Sequence, residues 1–259
     1  MTHADNAEGK SAAEPDALFG GKLLLRQAPG GHRVGTDAVL LAAATPDIEA
    51  GLIVDLGCGV GAVGLAVALA APATRVHLVD SDADALALAE ENIALNGLSE
   101  RVSALRADIL GPQRARHAAG LGAGSAELVL TNPPYGSPEK SRSSPDARRA
   151  AAHVMPAGGL GAWIASAFDL LKPRGELLMI HRADALADAL ATFGERWGGL
   201  AVRPIHPRPD KPATRILLRA IKGARTPLSI APPLILHRND GHFTHEAEAI
   251  HRGEARIPF

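Results

Sequence analysis

The feature that most constrains this chain is an alternation that begins at Leu52, in which short apolar-rich runs are each followed by a segment with apolar residues at helical spacing. Leu52 to Leu56, Arg75 to Val79, Val102 to Arg106, Glu127 to Thr131 and Glu176 to Ile180 read as strands. Val63 to Ala71, Ala83 to Leu95 (stopped by Asn96-Gly97) and Leu160 to Leu171 read as the helices between them. Strands that lack a polar face must be covered on both sides, and strand–helix alternation supplies that cover through right-handed crossovers. The predicted fold class is therefore α/β: a Rossmann-like, doubly wound, mostly parallel seven-stranded sheet. Val202 to Ile205 and Arg215 to Ile221 flank a Pro/Arg-rich turn, which predicts an antiparallel C-terminal hairpin strand closing one edge. Upstream, Leu23 to Arg26 reads as a short strand and Thr36 to Ala44 as a helix capped by Thr36 or Asp37.

With 259 residues, 46% of them apolar and 21% charged, the chain can bury one full core. Residues 1–17 read as a flexible polar leader, 18–221 as the main domain, and 222–259 as a C-terminal extension packed on it or following it. In that extension Ala231-Pro232-Pro233 excludes a central strand, and Glu246 to His251 reads as helical. No apolar run approaches the ~18 residues of a membrane span, and the opening segment lacks the pattern of a signal peptide. A cytoplasmic monomer is the expectation. Cys58 is the only cysteine, which rules out an internal disulfide framework and a zinc site built from several thiolates.

Asp55-Leu-Gly-Cys-Gly-Val-Gly61 falls where the first sheet strand should give way to a helix. Glycines there let the backbone approach a ligand at the carboxyl edge of the sheet. Asp80 closes the next strand, where a carboxylate can accept both ribose hydroxyls of a nucleoside, and Asp108 ends the third strand at the same edge. Gly59-x-Gly61-x-x-Gly64 also fits the dinucleotide fingerprint, so the turn alone leaves both NAD and S-adenosylmethionine open. Asp55 tilts the choice: its charge would repel a pyrophosphate but suits a sulfonium cation and an ammonium group.

Asn132-Pro133-Pro134-Tyr135 follows the fourth sheet strand, which brings it beside the glycine turn. Paired prolines stiffen the loop and leave carbonyls without competing backbone donors. The Asn132 side chain and the Pro133 carbonyl supply two acceptors, and Tyr135 supplies a flat face for a ring or amide plane. Two acceptors converging on an NH2 group draw its hydrogens out of the conjugated plane and expose the nitrogen lone pair to a methyl group held in line. Positioning and electrostatics then supply most of the catalysis. The plainer alternative is an ordinary Asx-Pro turn.

The glycine turn and the Asn-Pro-Pro-Tyr tetrad together resemble the class I methyltransferases that modify exocyclic adenine nitrogens or, in one branch, a glutamine amide. The resemblance implies S-adenosylmethionine as cofactor. It implies that Asp55, Gly57, Gly59 and Gly61 line its pocket, with Asp80 on the ribose, Asp108 near the adenine and Asn132 at the border. It also implies that Asn132, Pro133, Pro134 and Tyr135 hold the target. More narrowly, Gly35-Thr-Asp-Ala-Val-Leu-Leu41 and the late stretch Ala220-Ile-Lys-Gly-Ala-Arg225 resemble bacterial tRNA adenine-N6 methyltransferases that act beside the anticodon of a valine tRNA. In those relatives the early helix packs over the methionine end of the cofactor, which makes Thr36 and Asp37 candidates there; a plain amphipathic helix is the alternative.

A net charge of −1 gives no global attraction to RNA, so an RNA substrate needs a local basic surface. Lys140, Arg142, Arg148 and Arg149, directly after the tetrad, are the first candidates for RNA contact, and Arg203, Arg208, Lys211 and Arg215 around the hairpin are the second. A charge run can equally be a solvated loop. His237, His242, His245 and His251 lack an established ligand spacing, so no metal is expected. Cys58 has no evident histidine partner and is read as packing. Trp163, Trp197 and Phe168 fall at core-like positions or element ends. A glutamine-amide methyltransferase is the second reading, set back by the absence of an N-terminal helical domain. A NAD-dependent oxidoreductase is third, since it leaves the tetrad unexplained, and a non-catalytic RNA-binding module is last.

Overall fold

The computed structural model describes residues 14–28, 33–135 and 159–259. A small hairpin, β1 (Asp16–Leu18) and β2 (Leu23–Leu25), precedes helix α1 (Thr36–Ala43). The sheet then builds as β3 (Gly51–Leu56), α2 (Ala62–Ala70), β4 (Thr74–Asp80), α3 (Ala83–Leu95), β5 (Val102–Arg106), α4 (Gln113–Ala118) and β6 (Ala126–Thr131). It continues with α5 (Gly159–Leu170), β7 (Leu171–Arg182), α6 (Leu186–Thr192), β8 (Trp197–His206) and β9 (Arg215–Lys222), and ends with β10 (Ser229–Ile230), β11 (Leu234–Ile235) and α7 (His245–His251).

Strand order across the sheet is β10-β8-β9-β7-β6-β3-β4-β5, with β11 also pairing to β8. Neighbours among β5, β4, β3, β6 and β7 are parallel, and β9 lies antiparallel between β7 and β8. Seven strands thus make the body of the sheet, as expected. The β8–β9 hairpin does not form the edge itself, because β10 and β11 add two short parallel pairings outside β8. Ala231, Pro232 and Pro233 separate these two fragments, since a proline can donate nothing to a ladder.

The continuous apolar runs are explained by two cores, one on each face of the sheet. Leu128 and Leu130 of β6 and Leu178 and Ile180 of β7 pack with α1, α2, α3 and α7 residues such as Leu40, Leu65, Ile93 and Ile250. Their chain neighbours Val129, Leu177 and Met179 point the other way, to Trp163, Ile164 and Ala167 of α5 and Ala189 of α6. Side chains alternate along a strand, so burial on both faces makes every position apolar.

The hairpin β1–β2 is joined to α3 by two asparagines one helical turn apart. Asn96 accepts from the Leu24 amide at 3.0 Å and donates to its carbonyl at 2.7 Å, while Asn92 does the same for Arg26 at 2.7 and 3.0 Å. Each side-chain amide satisfies one residue's backbone as a neighbouring strand would. At the other end, the Ile257 amide donates to the Ala43 carbonyl at 2.9 Å, which ties the C-terminal segment to α1.

Two local expectations are corrected. The cap of α1 is Gly35, with no side-chain hydrogen bond from Thr36 or Asp37, because Asp37 is engaged elsewhere. Arg203, expected in a basic surface, is buried at 8% exposure and donates to the carbonyls of Pro232 (2.7 Å) and Pro258. Those prolines belong to the C-terminal segment that covers β8, so Arg203 fastens that segment.

Candidate active site

The glycine turn is built between the carboxyl ends of β3 and β4. The amides of Gly57 and Cys58 both donate to the Val79 carbonyl, at 2.8 and 3.1 Å, and the Gly59 amide donates to Asp80 Oδ2 at 2.9 Å. Gly57, Gly59 and Gly61 have φ of +72°, +54° and +89°, values that an L side chain rarely adopts. Their surroundings differ. A Cβ on Gly59 would meet no heavy atom within 4 Å, so the backbone there is open to a ligand, whereas one on Gly57 would lie 2.9 Å from the Trp163 indole. A Cβ on Gly64 would overlap Leu78, and its absence lets α2 lie close against β4.

Asp55 is 2% exposed, and its Oδ2 accepts from the Gly64 amide at 2.9 Å. Burial raises its carboxyl to about 7; the Gly64 hydrogen bond pulls the other way, and the Asp80 charge adds to the rise. Asp80 accepts from Gly59 and, through Oδ1, from the Asp82 amide at 3.0 Å. Asp108 stands exposed two residues beyond β5, with Oδ1 accepting from the Leu110 amide at 2.9 Å. Cys58 is half-buried; burial and the charges of Asp55 and Asp80 push its thiol well above the usual range, which leaves it no thiolate for nucleophilic chemistry.

The tetrad leaves β6 beside this turn, because β6 pairs with β3 in parallel register up to Thr131↔Leu56. Thr131 Oγ1 donates to the Leu56 carbonyl at 2.9 Å and accepts from Trp163 Nε1 at 2.8 Å. One hydroxyl therefore links the two strands that carry the glycine turn and the tetrad, and the indole fixed to it packs against Gly57. Trp163 is a core residue, as expected, and it also supports the turn. Asn92 was missed entirely: it is fully buried, and its Nδ2 donates to the Val60 carbonyl at 3.0 Å. The cue in the sequence was a pair of asparagines at i and i+4, Asn92 in the last turn of α3 and Asn96 at its C-cap, in line with the apolar face of the helix.

Around Tyr135 three further elements converge. Its hydroxyl lies 3.1 Å from Asp37 Oδ2 of α1 and is also hydrogen-bonded to Asn132 Oδ1. Arg215, the first residue of β9, donates through Nε to the same Asp37 oxygen at 2.9 Å, with its guanidinium carbon 5.1 Å from the Tyr135 ring centre. His181 of β7, 6% exposed, meets that ring edge-on at 5.1 Å and 69°. Burial lowers the His181 imidazole from its ordinary value and raises the Tyr135 phenol, with the Asp37 charge adding to the latter and Arg215 opposing it.

Of the expected site residues, Asp55, Gly57, Gly59, Gly61, Asp80, Asn132, Pro133, Pro134 and Tyr135 gather at one edge of the sheet, and Asp37 reaches them from α1. Thr36 makes no side-chain cap bond. Lys140, Arg142, Arg148 and Arg149 lie outside the described residues. In the second basic group Arg203 is buried and Arg215 is paired with Asp37, while Lys211 forms an exposed pair with Asp210 at 3.0 Å. His237 and His251 stack on opposite sides of the sequence from Phe243, at 4.7 and 4.4 Å between ring centres, which gives these histidines a packing role.

Over residues 31–193 the sequence matches the family described as Methyltransferase small domain. A tRNA1(Val) (adenine(37)-N6)-methyltransferase of Aeromonas hydrophila subsp. hydrophila is 30% identical over 217 residues, 82% of this chain and 85% of that protein. The protein of the same name in Porphyromonas gingivalis is 31% identical over 224 residues, 83% of this chain and 85% of that protein. Among solved structures, one from Agrobacterium tumefaciens, described as a predicted O-methyltransferase, is 33% identical with a TM-score of 0.73, and the match covers 86% of this chain and 99% of that one. No helix among the described residues is long and apolar enough to cross a membrane. The glycine turn, the tetrad and these matches agree: the chain belongs to the methyltransferase small-domain family, and it is similar along most of its length to the tRNA1(Val) (adenine(37)-N6)-methyltransferases.

Proposed function

We propose that this enzyme transfers a methyl group from S-adenosylmethionine to the exocyclic N6 of an adenine in RNA, in a tRNA next to the anticodon. The observation that carries this reading is the meeting of an open glycine turn with Asn132, Pro133 and Tyr135 at one sheet edge. The residues suit the cofactor. Gly59 leaves its backbone uncovered, Asp80 stands at the end of β4 for the ribose hydroxyls, and the buried Asp55 carboxylate offers a partner to an ammonium group. Asp108 lies beyond β5, where an adenine would sit, and Thr36 borders the pocket from α1, while Asp37, engaged by Tyr135 and Arg215, faces the tetrad.

Bound there, S-adenosylmethionine would supply an electrophilic methyl group on its sulfonium; transfer would leave a neutral thioether, and the methylated nitrogen would release one proton to solvent. The Asn132 side chain and the Pro133 carbonyl accept the two hydrogens of the target NH2, which turns the nitrogen lone pair toward that methyl. The Tyr135 ring and Pro134 pack against the base, which must be swung out of its stack. Lys140, Arg142, Arg148 and Arg149, together with exposed Arg208, hold the surrounding strand. Residues 18–221 form the catalytic unit, residues 222–259 brace it, and the enzyme acts as a monomer in the cytoplasm.

The test is incubation with methyl-labelled S-adenosylmethionine and unmodified total tRNA, then digestion to nucleosides. Label in N6-methyladenosine supports the proposal. Label in a ribose 2′-O-methyl product, or on a release-factor glutamine offered in parallel, overturns it in favour of oxygen or protein-amide transfer.

A further inference from the structure

The Tyr135 hydroxyl has one proton and two acceptors, Asp37 Oδ2 and Asn132 Oδ1, and can serve only one of them at a time. Asn132 Oδ1 is also the acceptor that the proposed reaction needs for the target amine. A phenol donating to it competes directly with the substrate. Asp37 is the stronger acceptor, since a hydrogen bond to a carboxylate is roughly twice as strong as one to a neutral amide.

We propose that Asp37, aimed by Arg215, is a positioning residue that draws the Tyr135 proton away and thereby keeps Asn132 Oδ1 available to the target NH2. The inference rests on the methyl-acceptor reading of the tetrad. The groups facing the phenol come from four segments of the chain: Asp37 from α1, Arg215 from β9, His181 from β7 and Asn132 from the tetrad itself. Arg215 acts in two ways. Its Nε fixes Asp37 Oδ2, the oxygen that faces the phenol, and its guanidinium lies over the Tyr135 ring. His181, whose imidazole burial pushes below its ordinary value, meets the ring edge-on at 5.1 Å. In this arrangement α1 contributes to target recognition through Tyr135, and its carboxylate is not spent on the cofactor.

A double-mutant cycle separates this role from a merely structural one. Asp37→Ala leaves the phenol only Asn132 to donate to, so turnover of unmodified tRNA should fall about 10- to 100-fold, with S-adenosylmethionine Kd within about twofold of the parent. Asp37→Asn, which keeps the shape and a neutral acceptor, should fall less. In a Tyr135→Phe background there is no phenol to misdirect, and adding Asp37→Ala should cost no more than about twofold. An equal loss in both backgrounds, or a loss that follows weakened cofactor binding, overturns the proposal.

A second readout needs no substrate. Tyr135 is the only tyrosine in the chain, so the tyrosine Fermi doublet in a Raman spectrum reports this one hydroxyl. Asp37→Ala should move the doublet ratio away from that of a strong proton donor to a carboxylate. An unchanged ratio refutes the hydrogen bond on which the inference stands. If tRNA proves not to be the acceptor while the ratio still moves, the fault lies in the substrate assignment alone.

Discussion

Asp55→Asn should make the ligand-free protein more stable and the enzyme worse, by amounts that depend on pH. Burial sets the Asp55 carboxyl at about 7, against about 3.9 for a free aspartate. The folded state therefore binds this proton more tightly than the unfolded one. Stability from the group is full below the unfolded value and is lost as pH rises through about 7, a total of roughly 4 kcal/mol at 1.36 kcal/mol per pH unit of difference. Asparagine keeps a side-chain oxygen for the Gly64 amide and removes the titration. Its stability advantage should grow by about 2.5 kcal/mol between pH 5 and pH 8, or roughly 5 to 10 °C in Tm for a chain of this size. Cofactor binding should run the other way. In the proposed role the carboxylate form pairs with the ammonium group, so parent affinity for S-adenosylmethionine should rise roughly tenfold from pH 6 to pH 8 and release a proton, while the asparagine variant binds weakly throughout. Urea denaturation and calorimetric titration at each pH, the latter in buffers of differing ionisation enthalpy, measure both. Stability curves that stay parallel from pH 5 to 8 would refute the reasoning, because they would mean that Asp55 ionises equally in both states.

Two further substitutions separate chemistry from packing. Asn132→Ala should leave the fold and S-adenosylmethionine Kd within about twofold of the parent while turnover drops about 10²- to 10³-fold, the usual cost of losing one preorganised polar group in an active site; unchanged turnover removes Asn132 from the mechanism. Arg203→Ala should cost about 2 kcal/mol or more in urea denaturation, since it strips hydrogen bonds from the Pro232 and Pro258 carbonyls, yet leave tRNA affinity intact. A loss of tRNA affinity at unchanged stability would restore Arg203 to the RNA surface.

The sequence by itself determined the sheet and one half of the site. Runs such as Ile53, Val54 and Leu56, or Leu177 to Ile180, state in one dimension that both faces of each strand are covered, because adjacent side chains feed opposite cores. The glycine turn and the tetrad were legible for the same reason. Each is a short contiguous segment at the end of a strand, and parallel strands bring their carboxyl ends to one edge whatever else the chain does. What surrounds Tyr135 was not legible. Asp37, His181 and Arg215 lie on α1, β7 and β9, far apart in the chain, and their meeting depends on β9 inserting antiparallel beside β7, so that its first residue arrives at the carboxyl end of β7. Two arginines of the expected basic group show the same dependence. Arg203 and Arg215 look alike in sequence, but the C-terminal segment folds over one and Asp37 reaches the other, so the first became a fastener and the second a partner of Asp37 and the Tyr135 ring. Periodicity reveals which face of an element is buried; only the packing of distant segments decides which charge meets which.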